Sequence, residues 1–374
     1  MKSPITFRLT LVFSFTLIAW IASIYTFQST LYKEPFDRNK SFNQYYQSQW
    51  IIPESKNPIS DEILYQVAGY ELVTTGIHYK INPEVPPLGK LIYGSSIVFF
   101  GNAYIASYLL FILCCIAYFL ATKEFIKNPI WQMIAVLLFA TDPLLSSLSY
   151  HTLLDLPQLL FLLIFIIATI RFLSSKTVGK KLIYASIIGV SFGAFSAVKI
   201  ALLSIVLLIS LLIILVKGRH SLYLLPIIGV AGIVYVSTYF SFFLQGSNLL
   251  DLAKAHKWML TFYAESKAVP VYGSIFPTLI LGYNKGWHQG AVWERVREWS
   301  LLWPILTIFV VGNIVKYGKD FINNSKYLFL ITLSAGLILT YILVPFFTRY
   351  LVLVLPLFII LFISYIEKSS SHEA

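Results

Sequence analysis

Long apolar runs separated by short polar breaks fill most of this chain. A helix needs about 20 apolar residues to cross the hydrocarbon core of a bilayer. Runs of that kind fall near residues 7–27, 103–121, 130–148, 152–172, 182–198, 200–216, 222–244, 300–316, 327–345 and 347–366. They predict about ten membrane-spanning helices. A shorter run over 88–101, closed by Gly101-Asn102, predicts an interfacial or half-inserted helix. If it crosses, the count becomes about eleven and the C-terminus changes side. The first run is too long for the apolar core of a signal peptide and predicts an uncleaved anchor.

Two segments interrupt this pattern, 28–88 and 245–299. In the first, Ser60 is a helix N-cap, Gly76 a stop, and Ile63, Val67 and Tyr70 recur at helical spacing. The stretch 60–75 therefore predicts a short amphipathic helix lying on the membrane surface, with Asp61 and Glu62 at its N-terminus. The second segment is polar and rich in Trp and Tyr, side chains that anchor proteins at membrane interfaces and also stack on sugars. The tail after Glu367 predicts disorder.

Composition fits a membrane protein. Of 374 residues, 57% are hydrophobic and 12% charged, with mean hydropathy +0.75, whereas soluble proteins carry about 25% charged residues. The expectation is one all-α polytopic membrane domain. The net charge of +11 does not point to nucleic acid. Its Lys and Arg cluster at one set of run ends: Lys2 and Arg8, Lys123 and Lys127, Arg171 to Lys181, Lys217 and Arg219, Lys316 to Lys326, and Lys368. The positive-inside rule then puts both termini inside and the two long segments outside. Cys114 and Cys115 are adjacent in an apolar run, so neither a disulfide framework nor a metal cluster is expected. There is no P-loop, Rossmann glycine pattern, HExxH or DxD motif.

The ionisable residues outside the basic loops are few. Asp61 and Glu62 suit the positive end of a helix dipole, or one of them could serve as a general base. Glu84 precedes the rigid Pro86-Pro87 pair, where a carboxylate is ordinarily solvated. Asp142 and Asp155 sit at the outer ends of two runs; charges at such depth are functional candidates, although Asp142-Pro143 also reads as a helix-ending turn. Lys199 falls at the midpoint of the apolar stretch 182–216, and Arg349 opens the last run. Each opposes the charge bias and could serve a phosphate at the membrane edge, with snorkelling the bland alternative for Lys199.

Taken in order, several motifs resemble the protein O-mannosyltransferase family and its relatives, the aminoarabinose transferases among them. They are Asp61-Glu62, Val85-Pro86-Pro87-Leu88-Gly89-Lys90, Leu154-Asp155, Gly193 to Lys199, Val271-Tyr272-Gly273-Ser274 and Arg349-Tyr350. The resemblance spans about residues 58–366 and departs at three points. Val85 stands where the family has His before the prolines, His151 takes the neighbourhood of an Arg, and the HKWMLTFY stretch from His256 alters a loop pattern.

The resemblance implies an inverting glycosyltransferase using a polyprenyl-phosphate sugar. Asp61 would be the base with Glu62 in support, and Lys199, Arg349 and Lys90 would hold the donor phosphate. Glu84, Asp155, His256, Trp258, Tyr263, Tyr272, Ser274 and Tyr350 would contact substrate. No cofactor is required. A divalent metal is left open, with Glu84 and His256 as its ligands if one binds. Mannose onto protein Ser/Thr is the family default, while a lipid or glycan acceptor remains open. The lack of an extra lumenal domain suggests a bacterial or archaeal plasma membrane. The competing reading is a transporter of lipid-linked saccharides, which would favour midplane charges and repeated halves. A purely structural subunit would leave the outer Asp, Lys and Arg set unexplained.

Overall fold

Every apolar run folds as helix, but not every helix is long. The computed structural model describes residues 4–199, 202–265, 268–288 and 290–372. In chain order the helices are α1 (Pro4–Phe27), α2 (Ser29–Lys33), α3 (Arg38–Tyr46), α4 (Asp61–Thr75), α5 (Pro87–Phe100), α6 (Tyr104–Phe125), α7 (Pro129–Thr141) and α8 (Pro143–Ser147). Then follow α9 (Asp155–Ser174), α10 (Val178–Val198), α11 (Leu202–Lys217), α12 (Leu224–Ser237), α13 (Phe240–Leu244), α14 (Leu249–Ala264) and α15 (Ile275–Leu281). A small antiparallel hairpin, β1 (Tyr283–Lys285) and β2 (Trp293–Arg295), precedes α16 (Leu302–Asn323), α17 (Ser325–Leu343), a 3-10 helix (Thr348–Leu353) and α18 (Leu355–His372).

Among the described residues, five helices are long and apolar enough to span a membrane: α1, α6, α9, α10 and α17. A sixth forms if α7 and the helical segment Pro143–Tyr150, which begins with α8, count as one span despite a bend of 59°. The bend is at Asp142-Pro143, where proline removes a backbone donor and Asp142 caps the next turn through Leu144 N and Leu145 N. The expected span over 222–244 is likewise divided into α12 and α13. The last run opens as 3-10 helix rather than α-helix. The expected disordered tail is helical through His372, and only residues 373–374 lie outside the described residues.

The bundle is built on α9, which packs against α6 and α10, while α10 also packs against α12. Gly189 and Gly193, one turn apart on α10, let the backbone of α12 approach closely. A Cβ at Gly193 would lie 2.5 Å from Ala231 O, the small-residue contact typical of membrane helix pairs. Exposed apolar side chains such as Phe15, Ile18, Ile116, Ile183 and Ile209 form the outer surface, as expected of a face in contact with lipid.

The helix over 60–75 forms where capping chemistry places it. Ser60 accepts from Ile63 N, and Gly76 closes the helix in the left-handed region at φ 75°. Its environment corrects the expectation of an amphipathic surface helix. Leu64, Tyr65, Gln66, Val67, Ala68, Gly69, Glu71 and Leu72 are all buried, and α4 packs along α5. The cause is a glycine-to-glycine crossing: a Cβ on Gly94 would lie 2.0 Å from Gly69 O, and one on Gly69 2.4 Å from Lys90 O. The helix over 88–101 is α5, a 14-residue apolar helix too short to be counted as a span.

Candidate active site

Four charged residues from four segments meet in one chain of contacts. Asp61 opens α4, held there by the Ser60 cap. Arg349 projects from the 3-10 helix and its Nη2 donates to Asp61 Oδ2 at 2.5 Å. Arg349 Nε lies 3.5 Å from Asp155 Oδ2, and Asp155 is the first residue of α9, almost fully buried. Lys199 sits in extended conformation between α10 and α11, and its Nζ donates to Asp155 Oδ1 at 2.8 Å. The ring of Tyr350 lies 4.1 Å from the same Nζ, a cation–π contact.

The charges alternate and cancel, two carboxylates against two cations, as a buried ionic group requires. One donor is left over. The 3.5 Å contact of Arg349 Nε is ionic but does not meet hydrogen-bond geometry, so this buried N–H is unsatisfied. An unpaired buried donor of this kind is costly unless a ligand completes it.

Beside this chain lies an open cavity of about 420 Å³. Asp61, Glu62, His151, Glu298, Thr348 and Arg349 contribute its polar wall. Glu62 Oε1 accepts from His151 Nδ1 at 2.7 Å. The wall is braced behind by Gln66, which donates to Thr152 Oγ1 at 3.0 Å, while Thr152 Oγ1 donates to Glu62 O.

The loop between α4 and α5 is folded around Lys90. Its Nζ donates to Asn82 O at 2.6 Å and Val85 O at 2.8 Å, and the side chain is buried. Lys90 is thus a clamp on loop carbonyls and does not join the Arg349–Lys199 pair. Glu84 is buried as well, where a solvated carboxylate was expected, and accepts from Asn82 Nδ2. Burial pushes its carboxyl above the usual range, with Lys90 acting in the opposite direction. Tyr263, on α14, lies within electrostatic reach of Glu84, Tyr350 and Asp61, and burial raises its phenol.

The other expected substrate contacts are dispersed. His256 has both ring nitrogens engaged, Nε2 with Tyr235 OH at 2.5 Å and Nδ1 with Leu252 O at 2.7 Å. Glu84 and His256 therefore do not make a poised ligand pair. Among the described residues no group of three or more His, Cys, Asp or Glu could hold a metal ion. Trp258 is exposed and stacks on Phe262, which stacks in turn on Trp50. Tyr272 is exposed, edge-on to Trp287. Ser274 is buried at the start of α15. Cys114 and Cys115 are free and buried.

Several neighbours of the charged chain were not singled out from sequence. Tyr65, one helical turn after Asp61, is buried against it, and only the i, i+4 spacing signals that. Tyr341 packs on Tyr350 with ring centroids 5.6 Å apart. Glu298 carried no signal among the charges of its loop.

No protein-family model matches this sequence, and no curated protein does. The fold has solved neighbours. The crystal structure of ArnT from Cupriavidus metallidurans bound to undecaprenyl phosphate aligns with a TM-score of 0.59 and 16% identity, over 83% of this chain and 56% of that one. The apo state of the same protein aligns with a TM-score of 0.57 and 15% identity, over 84% of this chain and 57% of that one. The likeness is one of fold, an all-helical polytopic membrane architecture. The chain spans just over half the length of these neighbours.

Proposed function

We propose that this chain is a membrane glycosyltransferase that moves a sugar from a polyprenyl-phosphate carrier to a hydroxyl acceptor. The observation that carries this reading is the Asp61–Arg349–Asp155–Lys199 chain. It gathers two cations, an unspent guanidinium donor and a partly exposed carboxylate beside a cavity. The fold is shared with a protein that binds undecaprenyl phosphate, which agrees with this reading.

In this scheme the donor phosphate lies against Arg349 and Lys199. Arginine offers a planar fork that suits phosphate oxygens. Without donor, Asp61 is engaged by Arg349. Phosphate oxygens compete for the guanidinium and release the carboxylate toward the cavity. Asp61 then takes the proton of the acceptor hydroxyl, and the oxygen forms its bond to the anomeric carbon from the face opposite the phosphate. The bond from that carbon to the phosphate oxygen breaks, and its electron pair leaves with the phosphate, where the two cations stabilise it. The configuration inverts. Because a phosphate monoester leaves more readily than an alkoxide, the scheme needs no metal step. The finer reading, from the family resemblance, is a mannose-like hexose and a protein Ser or Thr hydroxyl. The site would face outward from a bacterial or archaeal plasma membrane, with the N-terminus cytoplasmic.

The test is transfer by the purified protein in lipid nanodiscs, using a panel of polyprenyl-phosphate sugars. Wild type should transfer at least one sugar. Asp61→Asn, nearly isosteric, should fold and bind donor but lose about 10²–10⁴-fold in turnover, the usual contribution of a general base. Undiminished turnover in the folded variant removes Asp61 from this role. Movement of lipid-linked sugar across vesicles without any transfer would favour the transporter.

A further inference from the structure

We infer that Glu298 selects the acceptor, favouring a polypeptide whose Ser or Thr is flanked by a basic residue over one flanked by an acidic residue. The inference rests on the function proposed above and extends it to the acceptor side of the same cavity.

The cavity wall beside Asp61 holds three carboxylates, Asp61, Glu62 and Glu298. Two have partners within the wall: Arg349 for Asp61 and His151 for Glu62. Among the described residues, no ion pair or hydrogen bond engages the Glu298 carboxylate. Its sequence neighbours Arg295 and Arg297 are exposed and do not line the cavity. The wall therefore presents one carboxylate without a partner where an acceptor would approach. Donor binding strengthens this asymmetry, because the phosphate would occupy the two cations.

The position of Glu298 is built rather than accidental. It lies in a turn between β2 and α16. Val296 on one side is buried and its N–H donates to Gly282 O at 2.8 Å. On the other side Trp299 covers Gly282 so closely that a Cβ there would lie 2.6 Å from the indole Cγ. Trp299 N donates to Val296 O, and its indole N–H to Leu279 O. The carboxylate is thus carried on a pinned turn, so little conformational freedom is lost when it meets a cation. Half-exposed charge pairs act mainly through selectivity and salt-sensitive capture.

The experiment uses the full chain in nanodiscs of zwitterionic lipid. Wild type is first supplied with the polyprenyl-phosphate sugar panel and pooled peptides, and the active donor is carried forward. Acceptors are three synthetic peptides in which one Thr is flanked by Lys, by Ala or by Asp. Wild type should rank them Lys over Ala over Asp in kcat/KM, with about threefold to tenfold between the extremes, shrinking as salt rises. Glu298→Gln should flatten the ranking, and Glu298→Lys should reverse it. A merely structural role would lower all three rates together and leave their order intact. Equal use of the peptides by active wild type, or an order unchanged in Glu298→Gln, overturns the inference and leaves the proposed transferase standing. Transfer only to a glycolipid acceptor overturns the polypeptide assignment. No transfer to any acceptor with any donor overturns both the inference and the function it rests on.

Discussion

Asp155 is the joint on which the charged chain turns, and its removal has a calculable cost. The side chain is 3% exposed and Lys199 is 10% exposed. Asp155→Asn keeps the shape and one acceptor oxygen but deletes the charge between two cations. Breaking a buried ion pair by removing one partner costs roughly 3–5 kcal/mol, because the remaining charge is left without compensation. Arg349 still has Asp61 as a partner, so the uncompensated charge is chiefly Lys199 and the lower end applies, about 3 kcal/mol. At about 1.4 kcal/mol per factor of ten, that is a shift of about 100-fold in the folding equilibrium. Deleting both partners in Asp155→Asn with Lys199→Met should recover most of the loss, since replacing a whole buried pair is often close to neutral.

The assay is denaturation in detergent for wild type, both single variants and the double. Undecaprenyl phosphate is then added. Its phosphate should stabilise Asp155→Asn more than wild type, because it supplies the anion that Lys199 has lost. Two results would refute the reasoning: a single variant as stable as wild type, or a double variant no more stable than Asp155→Asn. Either would mean that the contact between Asp155 and Lys199 carries no coupling.

Other consequences can be checked separately. Lys199→Ala should weaken donor-lipid binding and lower turnover together, measured by lipid titration and transfer; a change in neither takes Lys199 out of the phosphate site. Gly94→Ala drives a methyl into the Gly69 carbonyl and should cost about 1–3 kcal/mol by overpacking, read as a lowered melting temperature. An unshifted melting temperature would mean that α4 and α5 can separate freely. A cysteine at Ser41 should react with an impermeant reagent in intact cells; reaction only after permeabilisation would invert the proposed orientation.

Local chemistry was legible in the sequence, and long-range pairing was not. The α4 boundaries could be read because a Ser cap and a Gly stop act within a few residues. Lys199 and Arg349 stood out because they oppose the charge bias of the loops. That Arg349 bonds to Asp61, 288 positions earlier, has no sequence signal at all. The burial of α4 was hidden for another reason: Gly69 and Gly94 act through what they lack, and no hydrophobic period reports a missing side chain. Lys90 was expected at the donor phosphate, but the loop carbonyls of Asn82 and Val85 close on it. Glu298 sits in a loop without periodicity, between arginines, where only the folded turn reveals which charge faces the cavity.

The order of these residues along the chain sets when the site can exist during synthesis. Asp155 and Lys199 are 44 residues apart and can pair as soon as α9 and α10 have entered the bilayer. Asp61 is made before either, yet its partner Arg349 follows only 288 residues later. Until then its carboxylate faces water or a passing lipid headgroup, and the cavity lacks the wall that Thr348 and Arg349 supply. A chain stopped short of residue 348 could enter the membrane and still hold Asp61 without its ion-pair partner. Assembly of the site thus waits for the segment that carries Arg349, and a chain stopped before it lacks the cation that faces Asp61.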